Sequence, residues 1–129
     1  MPVVNTDLVP ITEIMTRTTV TARGDDSVAS LIALMTRHHI GCVPIVDDQE
    51  RPTGIVTKLD LLECQDDGRK TAREVMMPTA MSLPPESTLA RAVALMTAEG
   101  IHHVLVVDKE RALVGVVSTF DVTRWLAQR

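Results

Sequence analysis

Gly54-Ile55-Val56-Thr57-Lys58-Leu59-Asp60 returns 61 positions later as Gly115-Val116-Val117-Ser118-Thr119-Phe120-Asp121. Each stretch carries a glycine, a β-branched run, a hydroxyl side chain and, three residues on, an aspartate. The β-branched run predicts a strand. A hydroxyl with a carboxylate three places later predicts the capped start of a helix. Working outward, the same shift lays residues 14–62 on 75–123 without a gap. Met15 falls on Met76, Leu34-Met35-Thr36 on Leu95-Met96-Thr97, Ile40 on Ile101, and Val46-Asp47 on Val107-Asp108. A fixed period held over that length marks two copies of one supersecondary unit.

Within a copy the hydrophobic period changes in a readable order. Thr19-Val20-Thr21 and Ala80-Met81-Ser82 predict short extended segments. Ser27 then precedes apolar residues at 28, 31, 32 and 35, and Thr88 precedes Leu89, Ala92, Val93 and Met96. That spacing predicts a capped helix with one apolar stripe. Val43-Pro44-Ile45-Val46 and the run from Gly54 flank a turn over 47–52, which predicts a hairpin, and a short helix follows from near Leu59. The fold class is therefore α/β, of the α+β type: two β-α-β-β-α repeats packed with pseudo-twofold symmetry. The first repeat and its N-terminal extension take 1–64, a polar connector takes 65–72, and the second repeat takes 73–129.

Composition narrows the function. Phe120 and Trp125 are the only aromatic side chains of the Phe, Trp and Tyr class, so the core is aliphatic, with methionine as filler. Few stacking platforms, a net charge of −4 and no basic run exclude a nucleic-acid partner. Cys42 and Cys64 have neither C-x-x-C spacing nor a disulfide framework, which suits a reducing compartment. No apolar run approaches the ~20 residues of a membrane span, and MPVVNTDLVP lacks a basic leader region, so the expected location is cytoplasmic with no membrane partner. His38-His39 and His102-His103 lack metal-ligand spacing and do not coincide under the shift. Neither a metal site nor an enzyme's nucleophile and base is expected, and no catalytic residue is assigned.

The order and spacing of several pieces resemble the cystathionine-β-synthase (CBS) domain family, from about Ile11 to Leu126. The pieces are Ile14-Met15-Thr16 with Val75-Met76-Met77, the capped helix ending in Leu-Met, Val43-Pro44-Ile45-Val46-Asp47, and the closing Gly-to-Asp motif. The resemblance implies a Bateman module, in which two units associate through their sheets and form two symmetry-related clefts. Such clefts hold adenosine nucleotides, and such modules pair into disc-shaped homodimers. One position departs from the pattern: Leu105 stands where the first copy has Pro44.

Taken alone, Thr57-x-x-Asp60 and Ser118-x-x-Asp121 are capping boxes. The same geometry also suits a nucleotide, with phosphate at the helix start and the carboxylate accepting from both ribose hydroxyls. The resemblance implies ligand contacts from Thr19, Val20, Ile40, Val43, Pro44, Thr57, Lys58 and Asp60 in one cleft. In the other it implies Ala80, Met81, Ile101, His103, Val104, Ser118, Thr119 and Asp121. Arg17 and Lys58 are the basic candidates for phosphate, and the Asp60 cleft, with Pro44 and Lys58, is expected to be the stronger. The expected function is regulatory sensing of AMP, ADP or ATP, passed on through homodimer packing to an unknown protein target. No cofactor is required. The rival expectations are a ligand-independent dimerisation or protein-interaction module, and the regulatory part of a larger enzyme or transporter. Met1 and the short ends favour a complete small protein over that last reading.

Overall fold

The computed structural model describes residues 5–17, 20–65, 69–78 and 80–129. In chain order its elements begin with β1 (Thr16–Arg17), α1 (Val28–His38), β2 (Cys42–Val46), β3 (Pro52–Thr57), α2 (Lys58–Glu63) and α3 (Ala72–Val75). They continue with β4 (Ser82–Leu83), α4 (Leu89–Glu99), β5 (His103–Val107), β6 (Leu113–Ser118) and α5 (Thr119–Ala127). Short 3₁₀ turns at Thr6–Leu8 and Ile11–Glu13 precede β1. The result is a mixed α/β fold. The chain divides into two compact units: Thr19–Ala80, and Met1–Thr18 joined to Met81–Arg129.

In the Thr19–Ala80 unit, β2 and β3 form the antiparallel hairpin, with Val43 opposite Val56 and Pro44 opposite Ile55. Ala22 bridges to Ile45 in parallel, and Met77 bridges to Ile55 antiparallel. Helix α1 starts where the Ser27 hydroxyl accepts the Ser30 N–H at 3.0 Å, and it buries Val28, Leu31 and Met35. The core joins Leu31 and Met35 to Ala22, Val43, Ile45, Val56 and Ala72.

The other unit carries the sheet β1-β6-β5-β4. Thr16 lies opposite Val116 on one side, and Leu83 runs parallel beside Val106 on the other. The core gathers Ile11, Ile14, Leu83, Leu89, Ala92, Met96, Val104, Val106, Val117 and Trp125. The same positions meet in both units, 61 residues apart. Ala22 on Ile45 corresponds to Leu83 on Val106, and Met77 on Ile55 corresponds to Thr16 on Val116. The segment that leads into each sequence repeat therefore packs with the other repeat's hairpin. Gly54 and Gly115 permit this close approach. A Cβ there would meet the Met77 carbonyl oxygen at 2.6 Å or the Thr16 carbonyl oxygen at 2.8 Å.

Three expectations change. No strand forms over 20–21, where the first copy contributes only the Ala22 bridge, and the second copy's short strand is Ser82–Leu83 rather than 80–82. A bridge of one or two pairs is too short to set its own limits from local sequence, so the facing hairpin sets them. The apolar stripe is also narrower than its spacing suggests, because Ile32 and Val93 face outward, 48% and 38% exposed. The hairpin turns need no glycine. Asp47 Oδ1 accepts the Gln49 and Arg51 N–H groups, and Asp108 Oδ1 accepts those of Glu110 and Ala112. These bonds hold a left-handed residue in each turn, Glu50 and Arg111. The Arg51 N–H bond, with that of Gln49, holds the Asp47 carboxyl below its ordinary value.

Candidate functional site

Strand β3 runs directly into α2, and β6 directly into α5. Thr57 and Ser118 therefore each end a strand and cap a helix, with extended backbone at φ −108° and −110°. The Thr57 hydroxyl accepts the Asp60 N–H at 3.3 Å. In return, Asp60 Oδ2 accepts the Thr57 N–H at 2.8 Å and its hydroxyl at 3.0 Å. Ser118 and Asp121 repeat all three bonds at 3.0, 2.9 and 2.9 Å. The next amides are engaged as well: Lys58 N–H donates to the Gly41 carbonyl and Thr119 N–H to the His102 carbonyl. A bare helix start attracts phosphate through unpaired N–H groups, and here several are already used. The chemistry left at each motif is therefore that of the carboxylate.

The two carboxylates differ. Asp60 is half-buried, and its Oδ1 has no hydrogen-bond partner among the described residues. Asp121 is 6% exposed, and its Oδ1 accepts the Thr16 hydroxyl at 3.0 Å and Arg124 Nη2 at 2.7 Å. The residues that correspond to Thr16 and Arg124 under the shift are Met77 and Glu63, neither of which can donate. His103, which corresponds to Cys42, sits in β5. Burial pushes its imidazole below the ordinary value, the neighbouring His102 adds to that effect, and Asp121 opposes it.

A sequence profile of the CBS domain matches residues 11–67 and again 72–128. The chain belongs to the CBS domain family. CBS-pair structures share its fold. The CBS domain pair of protein MJ0100, in complex with 5′-methylthioadenosine and S-adenosyl-L-methionine, has a TM-score of 0.86 at 25% identity, covering 93% of this chain and 97% of that one. CBSX2 in complex with AMP has a TM-score of 0.84 at 21% identity, a likeness of fold alone, covering 93% and 97%. Among curated proteins, the L-aspartate semialdehyde sulfurtransferase of Methanocaldococcus jannaschii is 28% identical over 118 residues, 89% of this chain but 23% of that protein. The mitochondrial CBS domain-containing protein CBSX3 of Arabidopsis thaliana is 31% identical over 109 residues, 78% of this chain and 52% of its own length. The inosine-5′-monophosphate dehydrogenase of M. jannaschii is 26% identical over 87% of this chain and 22% of that enzyme. The CBS chain thus spans about a fifth to a half of these relatives, and in the two enzymes it matches a minor part.

The sequence-derived site residues of this CBS pair fall into three groups. Thr57, Asp60, Ser118 and Asp121 come together in their boxes, with Lys58 and Thr119 exposed beside them. Val20, Ile40, Ala80, Ile101 and His103 are half-buried, and Met81 is exposed. Val43, Pro44 and Val104 are fully buried, Val43 and Val104 within the two cores. Thr19 lies outside the described residues. Arg17 is exposed on β1. Lys58 also borders an open, mainly apolar groove of about 440 Å³ with Ile32, Met35, Thr36, His39, Leu61 and Leu62. The sequence reading missed Thr16 and Arg124. Arg124 was visible as a cation three residues after Asp121, where the first copy has an anion. Among the described residues, no group of three or more His, Cys, Asp or Glu side chains could hold a metal ion, and no helix is long and apolar enough to cross a membrane.

Proposed function

We propose that this CBS pair is a regulatory sensor of an adenosine-containing ligand, and that the ribose is held at Asp60. The observation that carries this reading is the Asp60 Oδ1, unclaimed among the described residues, on a half-buried carboxylate whose other oxygen is fixed by the capping box. A carboxylate locked in one rotamer accepts the two hydroxyls of a ribose at little ordering cost. The likeness to the MJ0100 domain pair supports an adenosine ligand, because both of its bound molecules carry the adenosine moiety. AMP, ADP and ATP share that moiety. Lys58, exposed next to the box, favours the phosphorylated ligands. Half-buried Val20 and Ile40 supply aliphatic surface for adenine in a chain almost without aromatic rings.

Titration calorimetry with AMP, ADP, ATP, S-adenosylmethionine and methylthioadenosine tests the reading and separates the ligand classes. Asp60→Asn keeps the size and one acceptor but removes the charge, so the affinity of the bound ligand should fall roughly ten- to a hundredfold. Equal affinity in wild type and Asp60→Asn, or no binding to either, leaves both motifs as caps.

Occupancy would be passed on through a homodimer to a protein target. Ile32, Leu59, Leu62, Val93, Phe120 and Leu126 project apolar surface from the helices, which supports self-association. Sedimentation showing monomer at micromolar protein, with and without ligand, would remove the dimer.

A further inference from the structure

We propose that Asp121 is a latch rather than a ligand acceptor: Thr16 and Arg124 hold its outer oxygen, so each chain offers one adenosine acceptor, Asp60. The ligand half of this statement rests on the function proposed above, and the latch half does not. Asp121 has no accepting position left over. Oδ2 takes the Ser118 N–H and hydroxyl, while Oδ1 takes the Thr16 hydroxyl and the Arg124 guanidinium. Arg124 is itself steadied, its guanidinium 5.4 Å from the centroid of the Phe120 ring one turn earlier. A ribose arriving at Asp121 must displace a charge-assisted bond and a hydroxyl bond before it gains its own. That exchange lowers affinity at the second motif by roughly ten- to a hundredfold relative to the first.

The Asp60 motif has none of the latch's side chains around it at the corresponding positions. Leu59 stands for Phe120, Glu63 for Arg124 and Met77 for Thr16. The latch also has a structural use. Among the described residues, strand β1 pairs with β6 over two positions, Thr16 with Val116 and Arg17 with Gly115. The Thr16 side-chain bond therefore fastens a strand that backbone pairing alone holds weakly, across 105 residues of sequence.

Calorimetric stoichiometry tests the proposal with AMP and S-adenosylmethionine as probes. Wild type should bind one ligand per chain, Asp121→Asn should leave its affinity within about twofold, and Thr16→Val/Arg124→Leu should bind two. Arg124→Leu alone, at a half-exposed position, keeps the test readable if the double variant folds poorly. Two ligands on wild type, or an Asp121→Asn loss as large as that of Asp60→Asn, would overturn the single-acceptor statement. If no probe binds any variant, the adenosine reading fails. The latch is then judged by a double-mutant cycle of Thr16→Val and Asp121→Asn in thermal denaturation. Effects that are not additive support it, and additive effects overturn it.

Discussion

Asp60 and Asp121 sit at matching positions of matching capping boxes, yet among the described residues one leaves an oxygen unclaimed and the other is saturated and buried. The box bonds differ by at most a few tenths of an ångström. The difference comes from residues outside the motif, a threonine at the far end of the chain and an arginine one turn on. A motif shared by two repeats therefore does not carry one role. The neighbours decide whether the carboxylate remains available or becomes part of the frame.

The largest effect that would sharpen this comparison is on stability. Asp121→Asn disturbs four bonds to a buried carboxylate and should cost about 2–3 kcal/mol. Asp60→Asn trims a half-exposed cap and should cost about 0.5–1 kcal/mol. Urea denaturation of the two variants measures the gap, and equal losses would erase the distinction. Next come Gly54→Ala and Gly115→Ala. In both, the new methyl group meets backbone carbonyl oxygen of the lead-in segment and a methionine sulfur. Each should lose about 1–3 kcal/mol from overpacking, and similar losses would show that the two lead-in segments are held alike. A free substitution at either site would mean that the segment is not pressed against its hairpin.

A smaller effect is expected where the first long helix ends. His39 adopts left-handed φ 54° at the position where the second copy has Gly100 at φ 64°. His39→Gly should raise stability by a few tenths to about 1 kcal/mol in the same measurement, since glycine carries no steric penalty there but loses more entropy on folding. The smallest effect concerns pH. Burial holds His103 below its ordinary value of 6.5, so the unfolded chain takes up that proton first on acidification. The stability that neutral His103 contributes is complete above about pH 6.5 and is lost as pH falls below it toward the folded value. His103→Gln should flatten the melting temperature between pH 7.5 and 5.5. An unchanged slope would assign the acid sensitivity to another group.

Much of the molecule was legible because its signals are local. The 61-residue shift, the Ser27 and Thr88 caps, the hairpins and the Thr/Ser-x-x-Asp boxes all appear at the positions the residues indicate. Each depends on neighbours within a few residues, where propensity and hydrogen-bonding reach act directly. The short strands were less legible, since Ala22 and Ser82–Leu83 are extended chiefly because a hairpin edge faces them. The outward turn of Ile32 and Val93 was also hidden, because spacing defines a stripe but not how much of it finds a partner.

By itself the sequence determined a twofold repeat of mixed α and β elements, an aliphatic core and two carboxylates placed at helix starts. Period, capping chemistry and composition are properties of short stretches of chain, and they persist wherever those stretches end up. Only the tertiary structure decided that Thr16 and Arg17 pair with the second hairpin, that Met77 pairs with the first, and that Asp121 is closed while Asp60, among the described residues, keeps an oxygen open. Those outcomes depend on groups such as Thr16 and Asp121 meeting across 105 residues. Contacts at that separation carry no local pattern. They exist once burial of the cores has brought distant segments to within 3 Å of each other.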